Sequence, residues 1–293
     1  MAATRKKIQK RLPRRPARSV RTPVNGSERS RFDLEWDDQE LFPEVVYPDA
    51  DFLFRRMNEA TFETVNPVPG EVILDIGCGR GIDGVELARK GAVVIGIEPS
   101  LIMMNHAKRY ISTSEADMSL IRGVGENLSF RPRSADKVVC KGALDHFPKP
   151  AAVMQQIATV LKPDGKAIIG IANFDSLGFK LGRMVWRLRK MLGFKATENR
   201  MPWEVPDDHT YRFNYPIINR LAGSYLEVEQ ISGVSLLFGL PWWGMFLARL
   251  PKNMSTAILR SLDRVARHLP SLSDVIIMSC RVKPPNRRNQ VAL

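Results

Sequence analysis

The chain of 293 residues has few cysteines and no long apolar run. Its three cysteines, Cys78, Cys140 and Cys280, are too widely spaced to indicate a disulfide framework or a zinc site, which favours a reducing compartment. No apolar stretch approaches the roughly 20 residues that cross a bilayer. We therefore expect a cytoplasmic protein without a bound metal. The 44% of hydrophobic residues is enough for one α/β domain with decorations.

Acidic residues are almost absent from residues 1–31, which hold eleven Lys and Arg and a single acid, Glu28. This stretch also lacks the apolar core of a secretory signal. We expect a disordered basic tail, followed by one domain over residues 32–293. The tail carries most of the net charge of +13. It is either a solvated tail without a fixed role or a contact to an anionic surface, membrane or RNA.

The stretch from Glu71 to Ser100 has the pattern of a strand, a loop, a helix and a second strand. The apolar run at 72–74 ends at Asp75, and Glu98 ends the second strand. Between them lies a G-x-G-x-G loop formed by Gly77, Gly79 and Gly81. Glycines allow the backbone to turn tightly and to approach a ligand, and an acid at the tip of the second strand can bind ribose hydroxyls. The pattern therefore predicts a nucleotide-binding βαβ unit, although residues 79–84 also fit the dinucleotide motif G-x-G-x-x-G.

Alternating apolar segments continue this α/β pattern along the chain. Further strands are predicted at Ser119–Gly123, Ala135–Lys141, Lys166–Ile171, Leu226–Ser232 and Ser273–Val282. Helices are predicted at Asp51–Val65, Asp83–Lys90, Pro99–Tyr110, Pro150–Leu161, Pro216–Tyr225 and Met254–His268.

Five ordered motifs carry a family resemblance: DIGCGRG, IEPS, GENLSF, ADKVVCKGALDHFPKP and LKPDG. Together they resemble the core of a class I S-adenosylmethionine (SAM) dependent methyltransferase, of the small-molecule type that includes ubiquinone and menaquinone methyltransferases. The resemblance covers Glu71–Asn173. It implies a doubly wound, Rossmann-like seven-stranded sheet of order 3-2-1-4-5-7-6, with strand 7 antiparallel. The core would span about residues 50–173, and helical insertions at 174–270 would face the methyl acceptor.

The same resemblance implies SAM as cofactor and assigns binding roles to residues of the motifs. Asp75 and the loop would hold the methionine part of SAM, Glu98 the ribose, and Gly125 with Glu126 the adenine edge. The cofactor-binding residues expected on this basis are Asp75, Gly77, Cys78, Gly79, Gly81, Glu98, Pro99, Gly125, Glu126 and Lys141.

A hydroxyl acceptor must lose a proton, and histidine is suited to remove it near neutral pH. The chain has four histidines. His106 and His268 fall on predicted helices, whereas His146 and His209 fall in loops. We expect His146, with Asp145 before it, to lie near the opening to the acceptor, and His209 is the second candidate base. A purely structural role stays open for both histidines.

The segment 177–195 predicts a basic amphipathic helix with six cations and no acid. Two interpretations remain open: a helix on an anionic membrane, and a lid helix whose apolar face covers the acceptor pocket. Trp242 and Trp243 indicate an interface, an apolar acceptor pocket or ordinary core packing.

The sequence thus favours a methyltransferase that acts at oxygen of a small or lipid-like acceptor. Methylation at carbon of a quinone-like ring, methylation of RNA through the basic tail, and a SAM-binding protein without activity are the alternatives. No N-P-P-Y-type motif for base amino groups supports the RNA enzyme.

Overall fold

A computed structural model describes residues 34–37, 46–194, 201–204 and 209–284. Within these ranges seven strands form one sheet. The strands are β1 (Val72–Ile76), β2 (Val93–Glu98), β3 (Met118–Arg122), β4 (Ala135–Lys141), β5 (Leu161–Ala172), β6 (Leu226–Val234) and β7 (Val275–Val282). The helices are α1 (Pro48–Val65), α2 (Ile82–Arg89), α3 (Leu101–Ser114), α4 (Pro150–Val160), α5 (Leu177–Met191), α6 (Tyr215–Tyr225), α7 (Trp243–Ala248) and α8 (Lys252–His268).

The strand order is β3-β2-β1-β4-β5-β7-β6, which confirms the predicted sheet. The first five strands pair in parallel, and β7 is antiparallel to both β5 and β6. In such sheets, ligands bind beyond the carboxyl ends of the parallel strands, at the point where the strand order reverses. That point lies between β1 and β4, where the glycine loop leaves the sheet.

Strand alternation places three charged side chains on one face of the sheet. In β1 and β4, Ile73 and Val139 belong to the apolar cluster that includes residues of α1 and α2. Asp75 and Lys141 each follow two positions later, so they point to that same face. Glu98 follows Val94 with the same period in β2. Charges therefore replace apolar contacts on this face at the carboxyl edge.

Several element boundaries differ from the predicted ones for local reasons. Helix α3 begins at Leu101, because the Ser100 hydroxyl caps it by accepting the Met103 amide N–H at 3.3 Å, and Pro99 lies before the cap. Strand β5 begins at Leu161 rather than Lys166. Leu161 already pairs with Ala135, and the register then shifts across the expected turn at 162–165.

The buried face of α5 differs from the apolar face that the sequence predicts, and the interpretation of α5 as a lid stays a prediction. The buried residues of α5 are Gly178, Phe179 and Gly182. The two glycines allow close packing, since a Cβ at Gly178 would lie 2.2 Å from the Phe238 carbonyl oxygen. Met184 and Leu188 of the expected apolar face are 59% and 56% exposed.

The two neighbouring tryptophans have different environments. Trp243 packs against the small cluster of Phe52, Leu247 and Leu259, whereas Trp242 is 55% exposed. Across the described ranges, every helix is too short or too polar to cross a membrane. The predicted tail at 1–31 and the end of the basic segment at Lys195 lie outside the described residues.

Candidate active site

The glycine loop joins β1 to α2 and has an unusual backbone. Gly77, Gly79 and Gly81 have φ angles of +70°, +52° and +72°, which L side chains rarely adopt. The loop is tied to β2 because the amides of Gly77 and Cys78 both donate to the Ile97 carbonyl, at 2.8 and 3.2 Å. A Cβ at Gly77 would lie 2.4 Å from the Ala143 side chain. A side chain at Gly77 would therefore collide with Ala143, whereas at Gly79 and Gly81 it is the positive φ angle that favours glycine.

Glu98 ends β2 with its carboxylate directed at the glycine loop. One oxygen accepts the Gly79 amide N–H at 3.0 Å, and the other accepts the Ser100 amide N–H at 2.9 Å. The side chain is 5% exposed. Burial raises the pKa of Glu98, although these two amides oppose the shift. The carboxylate is thereby fixed at the edge where the two strands end.

Asp75 is the buried acid at the end of β1. Its Oδ2 atom has no hydrogen-bond partner within the described residues. Burial, together with the nearby charges of Asp83 and Glu98, raises the pKa of Asp75 to about 7, and Lys141 opposes the shift. A buried carboxylate oxygen without a partner, among other acids, suits a cationic ligand group such as an ammonium.

Lys141 ends β4 and connects this acidic cluster to two helices. Its ammonium donates to Asn58 Oδ1 on α1 and pairs with Asp83 Oδ2 on α2, each at 2.5 Å. These contacts hold Lys141 beside the glycine loop. The arrangement brings Asp75, Glu98 and Lys141 together, as the sequence predicts.

The remaining predicted cofactor residues surround the same edge. Glu126 Oε1 accepts the Lys149 amide at the start of α4 at 3.1 Å, and burial raises the pKa of this carboxyl. Gly125 is closely packed, since a Cβ there would lie 3.0 Å from Ile76. Burial also raises the pKa of the Cys78 thiol, which indicates that this cysteine is not a reactive thiolate.

A second cluster lies where β4 leads into α4 and contains both candidate histidines. His209 Nδ1 lies 3.2 Å from Asp145 Oδ2. The His146 ring meets the His209 ring edge-on, with centroids 4.5 Å apart. The Asp145 carbonyl accepts the amide N–H groups of Thr210 and Tyr211, at 2.8 and 3.2 Å. These bonds hold the loop that contains His209 against the loop that contains Asp145. The structure thus joins Asp145, His146 and His209, which the sequence could only name separately.

Two aromatic residues that the sequence analysis did not single out border this cluster. The Trp36 ring lies 5.2 Å from the His146 ring, and Phe174 lies 5.8 Å from His209, both edge-on. Trp36 is held there because its carbonyl accepts the Ser100 hydroxyl at 2.6 Å. For Trp36, the sequence offers one signal, which is the acidic and aromatic composition of residues 32–47. The cluster therefore has aromatic walls around one carboxylate and two imidazoles.

The same cluster could hold a divalent cation. One donor atom from each of Asp145, His146 and His209 lies within 4.8 Å of the others. Two imidazoles and a carboxylate are common ligands of zinc and other divalent ions. The arrangement can thus serve proton transfer or metal binding.

Comparisons with known proteins agree with this geometry. Residues 73–165 match a family model described as a methyltransferase domain. A ubiquinone biosynthesis O-methyltransferase of Xanthomonas campestris pv. campestris (strain B100) is 32% identical over 219 residues, which cover 74% of this chain and 78% of that protein. A demethylmenaquinone methyltransferase of Corynebacterium kroppenstedtii is 30% identical over 138 residues, or 47% of this chain and 56% of that protein. The chain spans about half the length of several curated relatives that it matches.

Structural similarity extends over more of the chain. The crystal structure of the PH0226 protein from Pyrococcus horikoshii OT3 has a TM-score of 0.52 at 17% identity, covering 83% of this chain and 97% of that one. This likeness concerns the fold alone. The strand order, the ordered motifs and the relative matched over most of its length lead to one conclusion. The chain belongs to the class I SAM-dependent methyltransferases and resembles their ubiquinone and menaquinone branch.

Proposed function

We propose that this enzyme transfers the methyl group of SAM to a hydroxyl of a small or lipid-like, quinone-related acceptor. The observation that carries the proposal is the Asp145–His209 pair at the carboxyl end of β4. This pair is built on the sheet edge that also presents the glycine loop and Glu98. A base and a cofactor crevice on one edge are what methyl transfer to oxygen requires.

The cofactor-binding residues on this proposal are those of the loop and its surrounding acids. Asp75 would receive the ammonium of SAM, and the loop amides would contact its methionine part. Glu98 would accept hydrogen bonds from the ribose, with Gly125 and Glu126 on the adenine side. SAM supplies an activated methyl group, so the protein mainly contributes proximity and alignment.

We assign the base to His209. The Asp145 carboxylate lies 3.2 Å from Nδ1 without hydrogen-bond geometry to it, so its negative charge favours a proton on Nδ1 electrostatically and leaves Nε2 as the atom that accepts a proton. Asp145 is then a positioning residue, which also stabilises the imidazolium that forms. His146, packed edge-on against His209, would fix the imidazole plane and line the acceptor side. The aromatic rings of Trp36 and Phe174 would exclude water from the proton transfer.

The nature of the acceptor is supported by the relatives. Those named for ubiquinone or menaquinone synthesis support a small molecule over RNA. Methylation at carbon, which the resemblance to the menaquinone branch leaves open, would also release a proton to a base, so the position of the label in the product is what distinguishes the two reactions.

The test is incubation of the full chain with methyl-labelled SAM and fractionated cell extract. We expect label in an apolar small-molecule fraction and, on product analysis, in a methoxy group. Label in RNA, or in a ring methyl group, contradicts the proposal. Deletion of residues 1–31 should leave turnover intact, whereas an RNA enzyme would lose salt-sensitive binding.

Metal binding by Asp145, His146 and His209 is the second candidate role for the same cluster, favoured by the spacing of their donor atoms. A cation would lower the pKa of the acceptor hydroxyl directly. Treatment with EDTA separates the two. An enzyme with a histidine base keeps its turnover in EDTA. An enzyme with a metal site loses its turnover and recovers it when one divalent ion is added.

We also propose that α5 contacts an anionic bilayer. Its exposed apolar side chains continue past the helix end, and they are Met184, Leu188, Met191, Leu192 and Phe194. Arg189 lies over the rings of Trp186, Phe194 and Trp242, which joins the exposed Trp242 to this surface. Exposed apolar side chains flanked by cations are typical of helices that lie on membranes.

Vesicle flotation tests this contact. Leu188→Gln with Met191→Gln should abolish binding to phosphatidylglycerol vesicles, because both side chains are exposed in the free protein. Ile121→Gln, at an exposed apolar position on β3, is the matched control. Equal binding by all three proteins contradicts the proposal.

A further inference from the structure

Two arginines share one carboxylate beside the acceptor site. Asp175 Oδ1 accepts from Arg183 Nη2 at 3.2 Å and from Arg212 Nη2 at 3.0 Å. Both guanidinium groups also donate to the Phe174 carbonyl, at 3.0 and 3.3 Å. Asn214 donates to the other oxygen of Asp175 at 2.9 Å. These contacts fix two guanidinium groups side by side at the surface.

Among the described residues, the positive charges near Asp175 outnumber the negative ones. In the described part of the chain, Asp175 is the one carboxylate within 4.0 Å of either guanidinium. Burial and the charge of Arg212 lower the pKa of Arg183, and Arg187 adds to this effect. Burial acts to raise the pKa of Asp175. The hydrogen bond from Asn214 and the charges of Arg212, Arg183 and Lys180 outweigh burial, so the pKa is lowered. Crowded cations with a single counter-charge leave an attraction for a further anion.

This cluster is joined to the proposed base by two short segments. The Phe174 carbonyl accepts hydrogen bonds from both arginines, and the Phe174 ring contacts the His209 ring. Arg212 lies three residues after His209 in the same loop, and the Phe174 amide donates to the Phe213 carbonyl at 3.0 Å. The segments 173–176 and 209–214 thus carry Asp175, His209 and Arg212, and Arg183 of α5 reaches the same carboxylate.

We infer that Arg183 and Arg212 form a subsite for an oxyanion, a carboxylate or a phosphate, carried by the methyl acceptor. The planar forks of arginine suit such groups better than lysine does. Arg212 is half-exposed and therefore reachable, whereas Arg183 is more buried and provides a fixed charge behind it. The inference rests on the proposed function, because it makes the acceptor acidic at one end and places its hydroxyl at His209.

Two diphenols that differ by one carboxylate test the subsite: 3,4-dihydroxybenzoate and catechol. Their binding is measured by calorimetry on the full chain with S-adenosylhomocysteine present, and methylation is followed separately. We expect the acid to bind about tenfold more tightly than catechol, as for a charged hydrogen-bonded pair. Arg212→Gln and Arg183→Lys should each reduce this preference without changing catechol binding.

Asp175→Asn provides the opposite change. Loss of the shared counter-charge should strengthen binding of the acid several-fold, which a merely structural role would not produce. Arg109→Gln, at an exposed site on α3, is the control and should leave the preference unchanged. Thermal unfolding of each variant shows whether it is folded.

The outcomes separate this inference from the proposed function. A preference for the acid that depends on the arginines, without methylation of either probe, supports the subsite and counts against the proposed reaction. Methylation of both probes with equal affinity overturns the subsite alone. Absence of any preference, or equal weakening of both probes in Arg212→Gln, also overturns it. If Arg212→Gln instead abolishes only binding to phosphatidylglycerol vesicles, the oxyanion is a lipid headgroup and the acceptor assignment is wrong.

Discussion

His209 Nδ1 lies 3.2 Å from Asp145 Oδ2, although Asp145 lies between β4 and α4 and His209 lies between α5 and α6. The contact depends on the backbone, since the Asp145 carbonyl accepts the amides of the two residues after His209. Asp145 is 3% exposed, so its charge acts in surroundings from which water is largely excluded. Such a carboxylate orients an imidazole more strongly than an exposed one.

The first prediction concerns this pair. His209→Gln should lower kcat by roughly 10²- to 10⁴-fold, the usual contribution of a positioned base. Asp145→Asn should lower kcat in the same direction, because the preferred tautomer is lost. SAM binding, measured by calorimetry, should change little in either variant. His268→Gln, at an exposed site on α8, is the control. Full turnover in both His146→Gln and His209→Gln would exclude a histidine base.

The second prediction concerns the pH dependence of SAM binding. In the protein without SAM, the pKa of Asp75 is raised to about 7, so the carboxyl is largely protonated at pH 6. On the proposed binding mode, the ammonium of SAM pairs with the ionised form of Asp75. Affinity should therefore rise with pH up to about 7, by up to tenfold per unit, and level off above. Calorimetry in two buffers should show proton release, and Asp75→Asn should weaken binding and flatten the profile.

The third prediction concerns the effect of the Asp75 carboxyl on the stability of the folded protein. An aspartate has a pKa near 3.9 when unfolded, so between about pH 4 and 7 the folded protein holds the additional proton. The free energy of unfolding should fall as pH rises through this window, by up to about 1.4 kcal/mol per unit from Asp75. Asp274, whose burial raises its pKa to about 7, acts in the same direction. Urea unfolding of Asp75→Asn should show a shallower decline and higher stability at pH 8; an unchanged slope would contradict this account.

The fourth prediction separates steric from backbone effects in the glycine loop. Gly77 and Gly142 both have positive φ, at +70° and +60°, but only a Cβ at Gly77 would meet a neighbour within 4 Å. Gly142→Ala should cost about 1–2 kcal/mol from backbone strain. Gly77→Ala should cost roughly 1–3 kcal/mol more, because Ala143 must move. Equal losses on urea unfolding would show that the collision is relieved without cost.

Much of the fold could be predicted from local pattern. The Ala135–Lys141 strand matches its predicted bounds, because apolar alternation and flanking polar residues mark both ends. The start of β5 could not be predicted, because it depends on pairing between Leu161 and Ala135 across a register shift. The buried face of α5 was also missed. Close packing at Gly178 and Gly182 is a tertiary effect, and periodicity instead favoured the leucines and methionines.

The residues of the site also fall into those that the local sequence could place and those that it could not. The glycine loop and Glu98 are adjacent in sequence to the strands that position them, so the motif was enough to place them. Trp36 could not be assigned, because its position depends on a hydrogen bond from Ser100. The pairing of Asp145 with His209 also needed the three-dimensional structure, because the two residues are far apart in the sequence.

Ser100 also connects the two halves of the site. Its amide donates to the Glu98 carboxylate. Its hydroxyl donates to the Trp36 carbonyl and accepts the Met103 amide N–H in the first turn of α3. Through its amide and its hydroxyl, Ser100 therefore holds both the carboxylate that we propose for the ribose and the residue whose ring borders His146, so the cofactor side and the acceptor side of the site share one point of attachment.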